Sequence, residues 1–336
     1  MTAIPPERQR GAPKSAPEAS EGRKSVTGFL DAWGLPPVSP AGLPASAKRF
    51  PDGAQYRIEI PSTEGPAGLD AVLDDAAEFG VRVHRVSQGS GVFMLTDAEL
   101  DRVTRTAAAA KIEVSLFARP CAAWTGSAMA AAPAGTAAGQ LARGRAQLAH
   151  VLEDVVRAAQ AGIRSVLISD IGVLAAFSAM KARGLLPGDM QAKISVMMPA
   201  ANPASARVLE DLGASTLNLP TDVDLADLAA IRAAVDIPVD LYVESPDNIG
   251  GLVRQHEIPE FIRVGAPVYL KFGLRNAPDL YPVGQHLESV AVAMSRERVR
   301  RARLGLELLT RSGCTPATSE LGAAGLAVPV AGGHAA

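Results

Sequence analysis

Eight times along this chain a short β-branched run gives way to a longer amphipathic one. The short runs are YRIEIPS (56–62), VHRVSQ (83–88), IEVSLFA (112–118), SVLISD (165–170), KISVMMP (193–199), STLNLP (215–220), VDLYVES (239–245) and PVYLKFG (267–273). The helical stretches begin at Gly65 and at Thr96, where Glu99 completes a capping box. They continue through HVLEDVVRAAQAG, to Gly184, and over 203–212, 224–235 and 248–264. A long final helix spans about 287–312, and the whole alternation covers about 260 residues, the span of one closed (β/α)8 barrel of the TIM type. An open doubly wound sheet would want a G-x-G-x-x-G in a strand-to-helix turn, and SQGSGV (87–92) is only a glycine-containing turn.

The flanks differ in composition. The first 50 residues hold 8 of the 25 prolines. They read as an extension over 1–50, disordered to about residue 25, in which GFLDAWGLPPV either docks on the barrel or remains a linker. The barrel then occupies 51–313, and the Ala/Gly-rich stretch 314–336 reads as a flexible tail. With 33 basic and 35 acidic residues and 4% aromatics, the chain has neither the charge nor the stacking groups of a nucleic-acid binder. No apolar run reaches a membrane span and the N-terminus has no signal-peptide core, so a cytoplasmic protein without membrane partners is expected. The sequence leaves oligomeric state open.

Strand alternation assigns side chains to the barrel interior. Arg57 and Glu59 turn inward from the first strand, and Lys193, Ser195 and Met197 from the fifth. Thr216 and Asn218 come from the sixth, Asp240, Tyr242 and Glu244 from the seventh, and Tyr269 and Lys271 from the eighth. Buried charges need partners. Arg57 and Asp240, early in their strands, read as a structural pair at the bottom. Glu59, Glu244 and Lys271, on neighbouring strands and nearer the C-terminal mouth, read as a converging catalytic triad or as a satisfied core triad.

Other residues sit at strand ends, where barrel active sites are built. His84 and Arg85 compete for one inward position, and Gln88 shares the face of His84. Arg119 is suited to a carboxylate or phosphate. Asn218, Arg275 and Asn276 complete the substrate-facing candidates. Asp170 reads as a helix cap or as a metal ligand, and Glu59, His84, Asp170 and Glu244 form an oxygen/nitrogen set compatible with a divalent metal. Asp247 reads as the cap of the seventh helix. Cys121 and Cys314 are too few for an iron–sulfur cluster, which is disfavoured, and Cys121 has no histidine placed beside it. The insertion 121–141, around Trp124, reads as a lid or as a disordered loop.

Over 202–245 the chain resembles the collagenase-like peptidases of unknown catalytic type (family U, number thirty-two). The resemblance rests on Asn202, LEDLG (209–213), the strand TLNLP, DLADLAAI (224–231) and YVES (242–245). EFGV (78–81) and VHRVSQGSG look like the first two units of that family. The resemblance implies a barrel and a hydrolase acting on a peptide or small molecule, with Glu244 as the matching strand glutamate. The Gly- and Cys-rich motif that follows in the family is replaced by ESPDNIGG.

Three functions are therefore expected as alternatives. One is a peptidase-like hydrolase with Glu244 or Glu59 as general base and Lys271 or Arg275 stabilising the oxyanion. Another is a lyase or isomerase of a small carbonyl or carboxylate substrate using Lys271. The third is a non-catalytic, ligand-binding barrel.

Overall fold

The computed structural model describes residues 22–35, 42–132, 135, 139–198 and 200–332. Eight parallel strands close in sequence order: β1 (Tyr56–Pro61), β2 (Arg85–Ser87), β3 (Glu113–Phe117), β4 (Ser165–Ile168), β5 (Gln191–Ile194), β6 (Thr216–Asn218), β7 (Val239–Glu244) and β8 (Val268–Phe272). The helices are α1 (Gly22–Ala32), α2 (Gly65–Phe79), α3 (Asp97–Ala110), α4 (Ala128–Ala131), α5 (Gly144–Gln160), α6 (Ile171–Ala182), α7 (Pro203–Asp211), α8 (Leu225–Ala234), α9 (Ile258–Gly265) and α10 (Glu288–Arg311). This is the (β/α)8 barrel expected from the alternation. No described helix is long and apolar enough to cross a membrane.

The core lies between sheet and helices. Ile58, Ile60, Leu116, Ile168, Leu217, Leu241 and Phe272 leave the strands outward and are buried with Leu69, Val72, Phe177, Leu228 and Phe261 of the helices. Several helices, though not α2, α5, α9 or α10, start at side-chain caps that satisfy free N–H groups. Thr96 and Glu99 form the capping box of α3, Asn202 caps α7 and Asp224 caps α8. Helix α10 lies along α2 and closes the ring.

The helix expected over 248–264 is much shorter. Asp247 opens only a 3-10 turn, Asp247–Ile249, and the chain then passes through Gly250 at φ 113° and Gly251 at φ 62°. Two successive left-handed residues end any helix there, and α9 starts at Ile258 instead.

The C-terminal stretch is not a frayed tail. Thr318 bridges to Tyr56, extending pairing below β1. Ser319 is buried, and its hydroxyl receives Arg57 Nε at 2.8 Å while the Ala324 carbonyl receives Arg57 Nη2 at 2.7 Å. Ala327 N donates to Glu113 Oε2 at 3.3 Å. These bonds draw 315–330 across the N-terminal end of the barrel, where buried polar groups would otherwise lack partners. Residues 42–50 also join the barrel: Ser46 N donates to the Arg263 carbonyl, and Phe50 is buried edge-on against Tyr269. On α1, Phe29 and Trp33 are 60% and 69% exposed, so GFLDAW does not dock. Of the stretch to about residue 25 expected to be disordered, 1–21 lie outside the described residues, as do 133, 134 and 136–138 of the lid segment, whereas 22–25 form the first turn of α1.

Candidate functional site

The barrel interior is built around the carboxylate of Glu59. The β1–β2 register pairs Glu59 with Arg85, and the β1–β8 register pairs it with Lys271. Arg85 Nη2 reaches Glu59 Oε2 at 2.5 Å and Asp240 Oδ1 at 2.6 Å. Arg85 Nη1 lies 3.7 Å from Glu113 Oε1. Lys193 Nζ pairs with Glu59 Oε2 at 3.0 Å and also with Asp240. Ser87 Oγ donates to Glu59 Oε1 at 2.6 Å, and Lys271 Nζ stands 3.5 Å from the same oxygen. Three cations and three carboxylates thus balance in one buried network, with Tyr269 lying under Arg85 at 3.5 Å.

Burial acts to raise the pKa of Glu59, but Arg85, Lys193 and Lys271 together with Ser87 hold its carboxyl well below the usual range. Burial, with Arg85 next, pushes Lys193 down despite Asp240 and Glu59. Glu59 is therefore a fixed anion, a poor proton acceptor at neutral pH.

Above the network a cavity of about 270 Å³ opens at the C-terminal mouth. Lys271 forms part of its floor, with its ammonium 4.2 Å from the centre of the Tyr242 ring. Arg119 forms a wall; its guanidinium stacks on Trp124 at 4.4 Å and donates to the Gly89 carbonyl at 2.7 Å. Arg119 Nε and Asn218 Oδ1 are buried without hydrogen-bond partners among the described residues. Gln88 also lines the cavity, but its amide is engaged with both backbone groups of Gly91.

Several expectations are corrected. Arg57 does not pair with Asp240; it bonds to Ser319, Tyr269 and Ala324 below, and lies 3.9 Å from Asp52. Asp240 is taken by Arg85 and Lys193 because these reach inward one layer higher. Glu244 does not converge with Glu59 and Lys271. An irregularity in the β7–β8 register carries Tyr242 opposite Lys271 but Glu244 opposite Phe272, so Glu244 turns toward α10. There it accepts from Arg275 N at 2.9 Å and lies 3.7 Å from Arg301. His84 is not at the mouth: it accepts from Ile58 N at Nδ1 (3.0 Å) and meets the Ser319 carbonyl at Nε2 (2.8 Å), at the opposite end.

Arg85, the residue of that pair that faces inward, is central to the network. Its signal was present in the alternation, but a three-residue strand left the choice with His84 open. Asp170 caps α6 through Val173 N and receives Ala142 N. Glu59, His84, Asp170 and Glu244 thus do not assemble as metal ligands. No group of three or more such donors occurs among the described residues. Arg275 and Asn276 are exposed, and both bind Asp247 rather than lining the mouth cavity.

Tyr281 and Trp124 also line the mouth cavity, and the α10 residue Arg298 lines a neighbouring one. Tyr281 arrives on the loop after β8 and bonds to Ser62; no local pattern in the sequence singles it out.

Fold and mouth together define a (β/α)8 barrel with a polar, lysine-floored cavity at the C-terminal end of its strands. The profile of peptidase family U32 matches residues 140–245. The matched segment runs from just before α5 to the end of β7, so the similarity to that family covers about a third of the chain. Among solved structures, the U32 peptidase Mk0906 is similar at 16% identity and TM-score 0.39, covering 63% of this chain and 75% of that one. The YdjI aldolase of Escherichia coli K12 is similar at 15% identity and TM-score 0.44, covering 77% and 93%. Oxaloacetate acetylhydrolase, solved with its product oxalate, is similar at 14% identity and TM-score 0.42, covering 78% and 85%. No curated protein matches the chain.

Proposed function

We propose that the mouth cavity takes a small substrate bearing a carboxylate or carbonyl group, and that the chain is an enzyme of the lyase or isomerase type. One observation carries this reading. Lys271 and Arg119 line the same cavity, and their donors are not used up by the protein. Lys271 makes no hydrogen bond to a described residue and touches only one edge of an already crowded carboxylate. Among the described residues Arg119 has no acidic partner within ion-pair distance, and its Nε is unbonded. An arriving carboxylate would satisfy both, and charge developing on a carbonyl oxygen would be stabilised by the Lys271 ammonium. Glu59 then acts as a positioning group, fixing Lys271 from below.

The peptidase reading draws on the family match. Neither of its two candidate general bases suits it, since Glu244 faces α10 and Glu59 is held ionised among three cations. The test is calorimetry of the full chain against small carboxylates, 2-oxo acids and blocked peptides, with Arg119→Met and Lys271→Met beside it. Binding of an acid that falls at least tenfold in both variants supports the reading. Turnover of a blocked peptide unaffected by Lys271→Met would overturn it.

A further inference from the structure

A second cavity, of about 240 Å³, lies beside the mouth between the loop after β8 and α10. Tyr281 stands between the two, its hydroxyl bonded to Ser62. The volume is below the roughly 300–1,000 Å³ of drug-sized ligand sites, so one small molecule fits.

The walls are mostly apolar: Leu274, Leu280, Val283 and Met294. Two opposite charges interrupt them. Arg298 of α10 is 3% exposed; it donates to the Ser62 carbonyl at 3.0 Å, and its Nε has no partner among the described residues. Glu64, at the N-terminus of α2, is 6% exposed and receives only the amides of Gly89 (2.6 Å) and Ser90 (3.3 Å). Neither residue has an ion-pair partner within the described chain, and they do not reach one another. A buried guanidinium and a buried carboxylate held apart across one cavity are both undercompensated, because isolated charges are costly to bury. The exposed acids at the rim are already engaged, Asp247 by Asn276 N and Asp279 by Asn248 and Tyr281 N. Burial also pushes the Glu64 carboxyl up, by more than the Gly89 and Ser90 hydrogen bonds and the more distant charge of Arg298 draw it down.

We infer that this cavity is a binding site for a small zwitterion with an apolar body, such as an aliphatic amino acid. Its carboxylate meets Arg298, its ammonium meets Glu64, and its side chain fills the space beneath Leu274 and Met294. The site is separate from the Lys271 cavity and does not depend on the chemistry proposed there.

Calorimetry on the full chain with leucine, with 4-methylpentanoate (no ammonium) and with 3-methylbutylamine (no carboxylate) tests it. Leucine is expected to bind at least tenfold tighter than either analogue. Glu64→Gln retains an acceptor for the Gly89 amide and should bring leucine down to the level of the acid. Met294→Trp, which fills the cavity without touching either charge, should abolish binding, whereas Lys271→Met should leave it unchanged. Equal affinity for leucine and 4-methylpentanoate, leucine binding that survives Met294→Trp, or no leucine binding up to millimolar concentration would each overturn the assignment.

Discussion

Lys271 Nζ stands 3.5 Å from Glu59 Oε1 across the seam where β8 meets β1, and Glu59 has two further cations within 3.0 Å. The lysine is therefore the one of the three whose loss Glu59 tolerates best. Lys271→Met is expected to keep the fold and lose ligand binding at the mouth. Its cost in urea unfolding should fall below the roughly 3–5 kcal/mol of an uncompensated buried charge. A variant that fails to fold would make Lys271 a structural counter-ion instead.

Arg85 is the opposite case. It bridges Glu59 and Asp240 and lies near Glu113, so its removal leaves carboxylates facing each other in the interior. Arg85→Met should cost at least about 3–5 kcal/mol, readable as a large drop in the urea midpoint. Retained stability would mean the network is less dry than its burial implies.

His84 should impose a pH dependence. Its Nδ1 accepts from Ile58 N while Nε2 faces the Ser319 carbonyl, a pattern only the neutral ring satisfies. Burial lowers its pKa from 6.5 to about 4. The unfolded chain then takes up the proton first, so stability is complete above about pH 6.5 and falls as pH drops toward 4. That window is worth about 3 kcal/mol. His84→Gln should flatten the slope of unfolding free energy between those values; an unchanged slope would assign it to other groups.

Gly89 and Tyr281 should be energetically coupled. A Cβ on Gly89 would come within 2.4 Å of the Tyr281 ring. Gly89→Ala is expected to cost about 1–3 kcal/mol through overpacking, with much of that recovered in a double variant with Tyr281→Ala. Additive costs in the double-mutant cycle would show that the ring simply moves aside.

Deleting residues 315–336 should lower the melting temperature by several degrees. The deletion strips Arg57 and His84 of their Ser319 partners and leaves buried donors unsatisfied. A melting temperature that did not move would mean that this segment caps the barrel without supporting it.

The sequence by itself determined the barrel, because eight repeats of two different hydrophobic periods specify eight strand–helix units without any long-range information. It also determined which way most strand residues point, and so brought Glu59, Lys193, Asp240 and Lys271 to the interior. Alternation reports a face, however, and not a height or a partner. Only the closed sheet decided that Asp240 meets Arg85 and Lys193 rather than Arg57, since strand stagger sets which inward residues share a layer. A single register irregularity between Tyr242 and Glu244 turned the family's matching glutamate away from the mouth. The Ala/Gly-rich composition beyond 314 suggested fraying, yet contacts with residues about 260 positions earlier in the chain fix that segment. Tyr281 came to the mouth, and Arg298 to the cavity beside it, by the same route: a loop and a final helix folded back over β1, a consequence of ring closure that no local pattern encodes.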